Sequence, residues 1–338
     1  MTTCYVAMEG GVLVVEDAGT GSPTARRTFG GHDVECLASD ADAPARAFCG
    51  TFESGLHRTD DGGETWERVG ADALPESVTS VAVSPRDPAV VYAGTEPSAV
   101  FASADGGETW RELDGLTDLP SASEWSFPPR PDTHHARWIE PDPNDPEHLY
   151  VGVEAGALVR TRDGGETWED RVPSARRDTH SMTTHADEPG RAWTAAGDGY
   201  AETRDGGETW THPQEGLDHR YCWSVVVDRT DPSRVLISSA SGPRSAHDAD
   251  RAESYLYRRE GDGAWERLDE AGMPTGPGVV RAVLARGGDA GEFYAVTNRG
   301  LYRTADGGDS FDRLDVPWPD AYERQTPAGL AAVPTVER

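Results

Sequence analysis

The chain has 338 residues, of which 36% are hydrophobic, and its 60 acidic residues against 31 basic ones give a formal net charge of −29. Such an acidic surface repels phosphate backbones and anionic lipid head groups, so nucleic acid and membrane surfaces are excluded as general partners. Every basic residue is arginine and no lysine occurs. This composition is typical of salt-in halophiles such as haloarchaea, whose dense carboxylates keep proteins soluble in concentrated salt.

The beginning of the chain, "MTTCYVAMEGGVLVVEDAGT", has neither a basic n-region nor a long apolar run. No segment reaches the roughly 18 consecutive apolar residues that a membrane-spanning helix requires. We therefore expect a cytoplasmic protein. The four cysteines, Cys4, Cys36, Cys49 and Cys222, lack CxxC spacing, which argues against a structural zinc site or a disulfide scaffold and favours buried thiols.

One string recurs along the chain, as "TDDGGETWERV" from residue 59, "SADGGETWREL" from 103, "TRDGGETWEDR" from 161, "TRDGGETWTHP" from 203 and "TADGGDSFDRL" from 304. A degenerate copy ends in the tryptophan at position 265. Repeats of roughly 40 to 50 residues that contain short β-patterned runs are typical of propeller blades. Each copy is preceded by three such runs, so each unit is predicted to be a sheet of four antiparallel strands, a to d.

The predicted blades follow the chain in order. Six complete blades are expected at residues 32–70, 77–114, 133–172, 179–217, 220–269 and 279–316. The N-terminal stretch 3–30 is predicted to form strands b to d of a further blade. Residues 328–336 are predicted to supply the strand a that this blade lacks. The sequence therefore predicts one all-β domain, a seven-bladed β-propeller of four-stranded antiparallel blades. Both ends of the chain close its ring in blade 1.

The repeated string follows the pattern S/T-x-D-x-G-x-T-W and resembles the Asp-box, or bacterial neuraminidase repeat. This repeat occurs in sialidases, some endoglucanases, sortilin-type receptors and photosystem assembly factors. The resemblance implies the propeller fold and leaves function open. Each aspartate is expected to accept hydrogen bonds from its own turn, a structural role. These aspartates are Asp61, Asp105, Asp163, Asp205 and Asp306.

The two long insertions lie on the face opposite the Asp-boxes. Because antiparallel strands alternate in direction, the c–d turns that carry the Asp-boxes emerge on one face, and the b–c and d–a connections emerge on the other. Residues 114–133 form a d–a loop and residues 239–253 form a b–c loop. Long loops on a rigid scaffold usually carry binding sites. We therefore expect the functional site at the channel mouth on this second face.

Polar residues gather at this mouth in the predicted arrangement. When the first strands (strands a) of the seven blades are aligned, one residue of each blade lies at the same level near the mouth: Glu35, Thr79, His135, His180, Trp223, Arg281 and Ala328. The b–c turns add Glu9, Glu53, Glu96, Glu154, Asp198 and Asn298. The predicted ligand contacts are His134, His135, Arg137, His180, His219, Arg220, Tyr221, Trp223, Arg281 and Trp125. This mixture favours a polar or anionic small molecule or a glycan, with Trp125 or Trp223 as a stacking platform.

Hydrolysis of a glycoside is one interpretation of this face. The candidate acid and base groups are Glu124, Asp132, Asp178 and Glu154. Arg137, Arg220 and Arg281 beside Tyr221 also suggest the carboxylate clamp of a sialidase. However, the FRIP-type sequence of sialidases is absent and "SFPPRP" echoes it only superficially, which argues against sialidase activity. The alternative is a non-catalytic scaffold or assembly factor that recognises a protein partner, and we expect a monomer in either case.

A divalent transition metal is a further possibility at this mouth. His135 and His180, with His134 nearby and Glu35 as a carboxylate, offer suitable ligand types. No HxxxH or HExxH spacing supports a metal site, and the alternative is that these histidines hydrogen-bond a ligand or one another. No other cofactor is indicated.

Overall fold

The computed structural model describes residues 1–334 and consists of seven β-sheets with few helical turns. Blade 1 contains β1 (Thr2–Met8), β2 (Gly11–Glu16), β3 (Thr24–Thr28) and β27 (Gly329–Pro334). Blade 2 contains β4 (Val34–Ser39), β5 (Ala47–Thr51), β6 (Leu56–Thr59) and β7 (Glu67–Val69). Blade 3 contains β8 (Val78–Val83), β9 (Val91–Thr95), β10 (Val100–Ser103) and β11 (Arg111–Glu112).

The remaining four blades continue in chain order. Blade 4 contains β12 (Ala136–Pro141), β13 (Leu149–Val153) and β14 (Ala157–Thr161). Blade 5 contains β15 (Thr179–Thr184), β16 (Ala192–Ala196) and β17 (Gly199–Thr203). Blade 6 contains β18 (Tyr221–Val227), β19 (Arg234–Ala240), β20 (Glu253–Glu260), β21 (Glu266–Arg267) and β22 (Gly276–Pro277). Blade 7 contains β23 (Val283–Arg286), β24 (Phe293–Thr297), β25 (Gly300–Thr304) and β26 (Asp312–Arg313).

The sheets form a closed ring. The first strand of each blade contacts the first strands of both neighbours, in the order β27, β4, β8, β12, β15, β18, β23 and back to β27. The two ends of the chain meet in blade 1, where β27 pairs antiparallel with β1 from Thr2 opposite Pro334 to Ala7 opposite Gly329. The predicted seven-bladed propeller with both termini in one sheet is confirmed. Residues 335 and 336 of the predicted first blade lie outside the described residues.

Blades 4 and 5 depart from the predicted four strands. Their fourth strand is reduced to isolated bridges, between Arg160 and Glu169 in blade 4 and between Glu202 and Thr211 in blade 5. Both segments run soon afterwards into a proline, Pro173 or Pro213, which has no N–H to continue a ladder. Blade 6 has a fifth strand instead, because β22 pairs with β20.

The hydrophobic core is divided among the gaps between blades. The described residues contain seven apolar clusters, each made of residues from two neighbouring blades. The closing aromatics of the repeats reach across these gaps. Trp265 donates its indole N–H to the Pro213 carbonyl of the preceding blade at 2.9 Å. Trp66 likewise donates its indole N–H to the Thr28 hydroxyl of the preceding blade at 3.2 Å. The repeats therefore join each sheet to the one before it.

Each Asp-box aspartate is bound within its own turn. Asp105 accepts hydrogen bonds from the Thr109 amide at 2.9 Å and from the Ser103 hydroxyl at 2.7 Å, and the other boxes repeat this arrangement. The Thr109 hydroxyl and amide and the Ser103 hydroxyl lower the pKa of Asp105 to about 2. The carboxylate is thereby committed to closing the c–d turn.

Glycines in the second strands let neighbouring blades approach closely. A Cβ on Gly94 of β9 would lie 2.8 Å from the Ala136 Cβ and 3.2 Å from the Ala136 carbonyl oxygen of the next blade. A Cβ on Gly50 of β5 would lie 2.7 Å from the Val78 carbonyl oxygen. These contacts are too short for any side chain, so glycine is required there for steric reasons.

Three of the four helical turns of the described chain lie in the two insertions. Residues 114–133 include two 3-10 turns, Leu116–Asp118 and Pro120–Glu124, and residues 239–253 include the single α-helix of the described chain, α1 (Pro243–His247). A third 3-10 turn, Asp320–Arg324, precedes β27. Within residues 1–334, none of these helices has the length and apolarity needed to span a bilayer.

Candidate functional site

A cavity of about 880 Å³ opens at the centre of the ring, on the face opposite the Asp-boxes. Its walls come from the starts of the first strands, from b–c turns and from both insertions. The 114–133 insertion contributes Phe127 to Arg130, and α1 with its flanks contributes Pro243, Arg244, His247 and Asp248. A smaller cavity of about 70 Å³ lies deeper in the channel and shares Glu35, Arg137, Trp223 and Ala328 with the first.

A recurring β-bulge aims side chains into this channel. In five blades the pairing of the first two strands skips one residue close to the mouth. A bulged residue leaves the ladder and its side chain is re-aimed. The skipped residues are Glu35, Thr79, Arg137, His180 and Trp223. In four of these blades the skipped residue is the one that the alignment of first strands placed at the channel mouth. In blade 4 the skipped residue is Arg137, whereas the alignment had placed His135 there.

Two guanidinium groups lie over the indole of Trp223. The Arg281 guanidinium carbon is 3.8 Å from a ring centroid of Trp223 and that of Arg137 is 4.9 Å from it. Trp223 is only 7% exposed and also contacts the His180 and His247 rings, at 4.4 and 4.5 Å between centroids. The indole thus holds two cations in place. Its faces are occupied by protein groups, which corrects the predicted role as a free stacking platform.

Arg281 is a buried cation without an acidic partner among residues 1–334. It is 4% exposed, and no carboxylate of the described chain lies within 4.0 Å of its guanidinium nitrogens. One N–H of Nη1 is donated to the Pro327 carbonyl at 2.6 Å, while Nε is buried with no partner. Burial, followed by the charge of Arg137, lowers the pKa of Arg281. Its positive charge is held at a free-energy cost that a bound anion would offset.

Glu154 is the centre of a second group on the cavity wall. Its Oε2 accepts a hydrogen bond from His135 Nε2 at 2.9 Å and lies 3.8 Å from Arg137 Nε. Burial raises the pKa of Glu154, but the His135 hydrogen bond and the charges of His180 and Arg137 outweigh it and lower the pKa to about 2. Glu154 is therefore an ionised carboxylate at neutral pH.

Asp178 and His180 adjoin Glu154 from the next blade. His180 Nε2 lies 3.7 Å from Glu154 Oε1 and 3.7 Å from Asp178 Oδ1. Burial raises the pKa of Asp178, and the neighbouring Glu154 carboxylate raises it further. The ligand atoms of these three side chains lie within 4.8 Å of one another, and they are the one such cluster found in the described residues.

Residues of both insertions line the mouth of the cavity. Arg130 forms a bidentate ion pair with Glu96, with N–O distances of 2.8 and 2.6 Å, and its guanidinium lies over the Phe127 ring. His247 of α1 meets Tyr221, with 3.3 Å between the imidazole Nε2 and the phenol oxygen. Burial and the nearby Arg281 charge lower the pKa of His247 to about 2, so its ring is neutral.

The structure brings together about half of the residues predicted for the site. Eight of them line the main cavity: Glu35, His135, Arg137, Glu154, Asp178, Tyr221, Trp223 and Arg281. His180 lines the deeper cavity. The others line neither cavity: Glu124, Asp132, His134, Trp125, His219 and Arg220.

The residues outside the cavity are engaged elsewhere. Trp125 is 5% exposed, belongs to the apolar cluster between blades 3 and 4, and donates its N–H to Ser121 at 3.0 Å, so no ligand can stack on it. Glu124 forms an exposed ion pair with Arg171 at 2.5 Å. His219 stacks on Tyr255 with 4.2 Å between centroids.

The predicted metal ligands do not form a cluster in the described chain. His135 Nε2 is bonded to Glu154, and Glu35 is not part of the one group of converging ligand atoms. His180 belongs to that group, with Glu154 and Asp178 as its carboxylates. The reason for the difference is the b–c turn of blade 4, which places Glu154 between the two histidines.

Sequence reasoning missed several cavity residues of the insertions, among them Arg130, Arg244 and His247. The strings "SFPPRP" and "SASGPRSAHDADRAE" contain them, and both insertions were assigned to the correct face. The turns within an insertion are not repeated elsewhere in the chain, so no alignment between blades could single these residues out.

Comparisons with known proteins show similarity of fold without similarity of sequence. No protein-family model matches the chain, and no curated protein matches it. Among solved structures, the GH74 enzyme of Niastella koreensis matches 97% of this chain with a TM-score of 0.66 and 15% identity. An ancestral GH74 enzyme matches 83% with a TM-score of 0.61 and 14% identity. YCF48 bound to D1 peptide matches 83%, with a TM-score of 0.57 and 19% identity.

The likeness is one of propeller architecture. The chain spans 52% and 38% of the two GH74 structures and 82% of the YCF48 structure. At these identities the match extends to the seven-bladed fold, and function has to be argued from the cavity itself.

Proposed function

We propose that this propeller binds a small molecule carrying a carboxylate, such as an acidic sugar, in its central cavity. The observation that carries the proposal is Arg281, a buried guanidinium with no acidic partner in the described chain. Although the protein has a net charge of −29, no carboxylate of the described chain lies within 4.0 Å of this buried cation. A guanidinium presents a planar fork of donors that suits a carboxylate.

The surroundings of Arg281 support the same ligand class. Trp223 contacts the guanidinium groups of both Arg281 and Arg137, so two fixed cations line the same cavity. The hydroxyl-binding groups that a sugar needs lie on the same wall, in Tyr221 and His247. The volume of about 880 Å³ is within the usual range for small-molecule sites.

Binding rather than hydrolysis is the proposed activity. A two-carboxylate glycosidase places its acidic groups on the two sides of the bond it cleaves. Of the four candidates, Glu124 and Asp132 do not line the cavity, while Glu154 and Asp178 converge with His180 on one point of the wall. The similarity to GH74 enzymes, at 15% identity, supports the fold alone.

The competing interpretation, a scaffold that recognises a protein partner, has less support from the surface. Met1 is the one large hydrophobic side chain that is exposed among the described residues, so no apolar docking patch is present there. Many arginines are engaged in ion pairs; Arg58, for example, contacts Asp60, Glu67 and Glu108. The YCF48 structure holds a peptide, but its likeness to this chain is one of fold.

Replacement of Arg281 by methionine tests the proposal. We expect glucuronate to bind the wild-type protein and glucose, its uncharged counterpart, not to bind, in calorimetric titrations at about 1 M KCl. R281M should weaken glucuronate binding about 10- to 100-fold, because a charge-assisted hydrogen bond contributes about 1.5–3 kcal/mol. Loss of an unpaired buried charge should leave the fold intact.

The matched control is R220M, since Arg220 precedes the cavity strand β18 but lines neither cavity. R220M should bind glucuronate like the wild type. Equal affinity for glucuronate and glucose, or wild-type affinity in R281M, would exclude the carboxylate site. Release of nitrophenol from a 4-nitrophenyl glucuronide, abolished in D178N, would show instead that the cavity is hydrolytic.

A further inference from the structure

Glu154, Asp178 and His180 form a cluster that the carboxylate site does not use. Glu154 lies in the b–c turn of blade 4, and Asp178 and His180 lie at the start of the first strand of blade 5. Glu154 Oε1 and Asp178 Oδ1 are each 3.7 Å from His180 Nε2. Two carboxylates thus face one imidazole nitrogen at the junction of the two cavities.

The hydrogen bond at the other side of the His180 ring fixes its tautomer. His180 is 1% exposed, and its Nδ1 lies 2.7 Å from the Cys222 carbonyl oxygen. A carbonyl oxygen only accepts hydrogen bonds, so Nδ1 carries the proton and donates it. The lone pair of neutral His180 is therefore on Nε2, which is buried and has no hydrogen-bond partner. Metal-ligating histidines are commonly oriented in this way by a carbonyl.

The separations fit a shared cation better than direct hydrogen bonds. A hydrogen bond between imidazole and carboxylate would measure about 2.7–3.2 Å. Two ligands bonded at about 2.0–2.2 Å to one tetrahedral metal ion lie about 3.3–3.6 Å apart. The observed separations of 3.7 Å are too long for hydrogen bonds and are close to the separation of two ligands of one metal ion.

Neighbouring groups hold both carboxylates in this orientation. His135 binds Glu154 Oε2, which leaves Oε1 directed towards His180. Asp178 Oδ1 accepts the Ala155 amide at 2.8 Å. A Cβ on Gly197 would overlap Asp178 Oδ2, so the absence of a side chain there makes room for the carboxylate.

We propose that Glu154 Oε1, Asp178 Oδ1 and His180 Nε2 bind one divalent transition metal ion, with Zn²⁺ or Mn²⁺ as the natural occupants. One imidazole and two carboxylates suit these ions, whereas Ca²⁺ and Mg²⁺ prefer oxygen ligands throughout. Three protein ligands leave at least one coordination position open. Because Glu154 and Asp178 line the main cavity, that position faces the space in which a ligand would lie.

Cobalt is a suitable probe because its ligand-field bands in the visible region report inner-sphere coordination. We expect the wild-type protein, stripped with a chelator, to bind one Co²⁺ per chain at about 1 M KCl, where weak binding to surface carboxylates is screened. Zn²⁺ should displace it. D178N and H180Q should each weaken Co²⁺ binding at least about 100-fold. Loss of a residue that only orients a metal ligand lowers metal affinity by at most about 100-fold.

D132N is the matched control, since Asp132 is an exposed aspartate of the same face that lines neither cavity. D132N should bind Co²⁺ like the wild type, and so should R281M, which separates this site from the carboxylate site. Near-ultraviolet circular dichroism of the metal-free variants checks their folding; if H180Q does not fold, D178N carries the test. Absence of ligand-field bands in the wild type, or unchanged affinity in D178N, would overturn the proposal.

Discussion

Transfer of the protein from about 1 M KCl into dilute buffer should lower its melting temperature by about 10 °C or more, because several kcal/mol of unfolding free energy are lost. The cause is repulsion among acidic side chains. Even if each of the 31 arginines neutralised one carboxylate, the formal charge of −29 would remain, and folding concentrates it on one surface. At about 1 M salt the Debye length is about 3 Å, so charges separated by more than a few ångströms no longer interact.

Two denaturants distinguish screening from other effects of salt. Guanidinium chloride is itself a salt and should first stabilise the protein in dilute buffer before it unfolds it, whereas urea should only destabilise. Melting curves followed by circular dichroism give both comparisons. Equal melting temperatures in dilute buffer and in molar KCl would show that charge repulsion does not govern stability here.

Substitution of Gly94 by valine should destabilise the protein by about 3 kcal/mol, the upper end of the usual cost of overpacking. Gly94 lies in β9, where a Cβ would come within 2.8 Å of the Ala136 Cβ of the next blade. Gly94 lies in β9, which pairs with β8 and β10, and Ala136 begins β12, which pairs with β13, so neither residue can shift without disturbing a ladder. Because the ring is closed, the first strand of each blade contacts those of both neighbours, which restricts movement of a single blade.

Gly30 provides the control for this substitution. A Cβ on Gly30 would have nothing within 4 Å, and its φ is not in the left-handed region. G30V should therefore change the free energy of unfolding in chemical denaturation by less than about 0.5 kcal/mol. If G94V were as stable as G30V, close approach between first and second strands would not limit the packing of the ring.

The architecture was predictable because the fold is repetitive. Each Asp-box marks a c–d turn, and the spacing of its aromatic residue marks one blade interface. The unpaired strand patterns at the two ends of the chain could be matched only with each other, and the pairing of β1 with β27 confirms that match. The shortened fourth strands of blades 4 and 5 were not anticipated, although Pro173 and Pro213 marked them in the sequence.

The site was predictable in so far as it follows the repeat. Alignment of the first strands identified Glu35, Trp223 and Arg281, all of which line the cavity. It failed to show the bulge that aims these side chains, because a bulge depends on the pairing of two strands and leaves no residue pattern. In blade 4 the alignment was therefore offset by two residues, from Arg137 to His135.

Residues whose neighbours come from other blades could not be assigned from the sequence. Trp125 is an aromatic residue in a long loop, and only the packed structure shows that it belongs to the apolar cluster between blades 3 and 4. Likewise, the approach of Glu154 to His180 requires the packing of two blades. Such contacts depend on the angle between sheets, which no local pattern encodes.

We have proposed that Arg281 anchors an anion site in the cavity. A crystal of the protein equilibrated in KBr tests this assignment, since bromide ions can be located by their anomalous scattering. We predict a bromide peak within hydrogen-bonding distance of the Arg281 guanidinium, on the side of Arg137, which is lost when glucuronate is added. An electron-density map in which Arg281 forms an ion pair with a carboxylate of its own chain, and no bromide occupies the cavity, would exclude an anion site at Arg281.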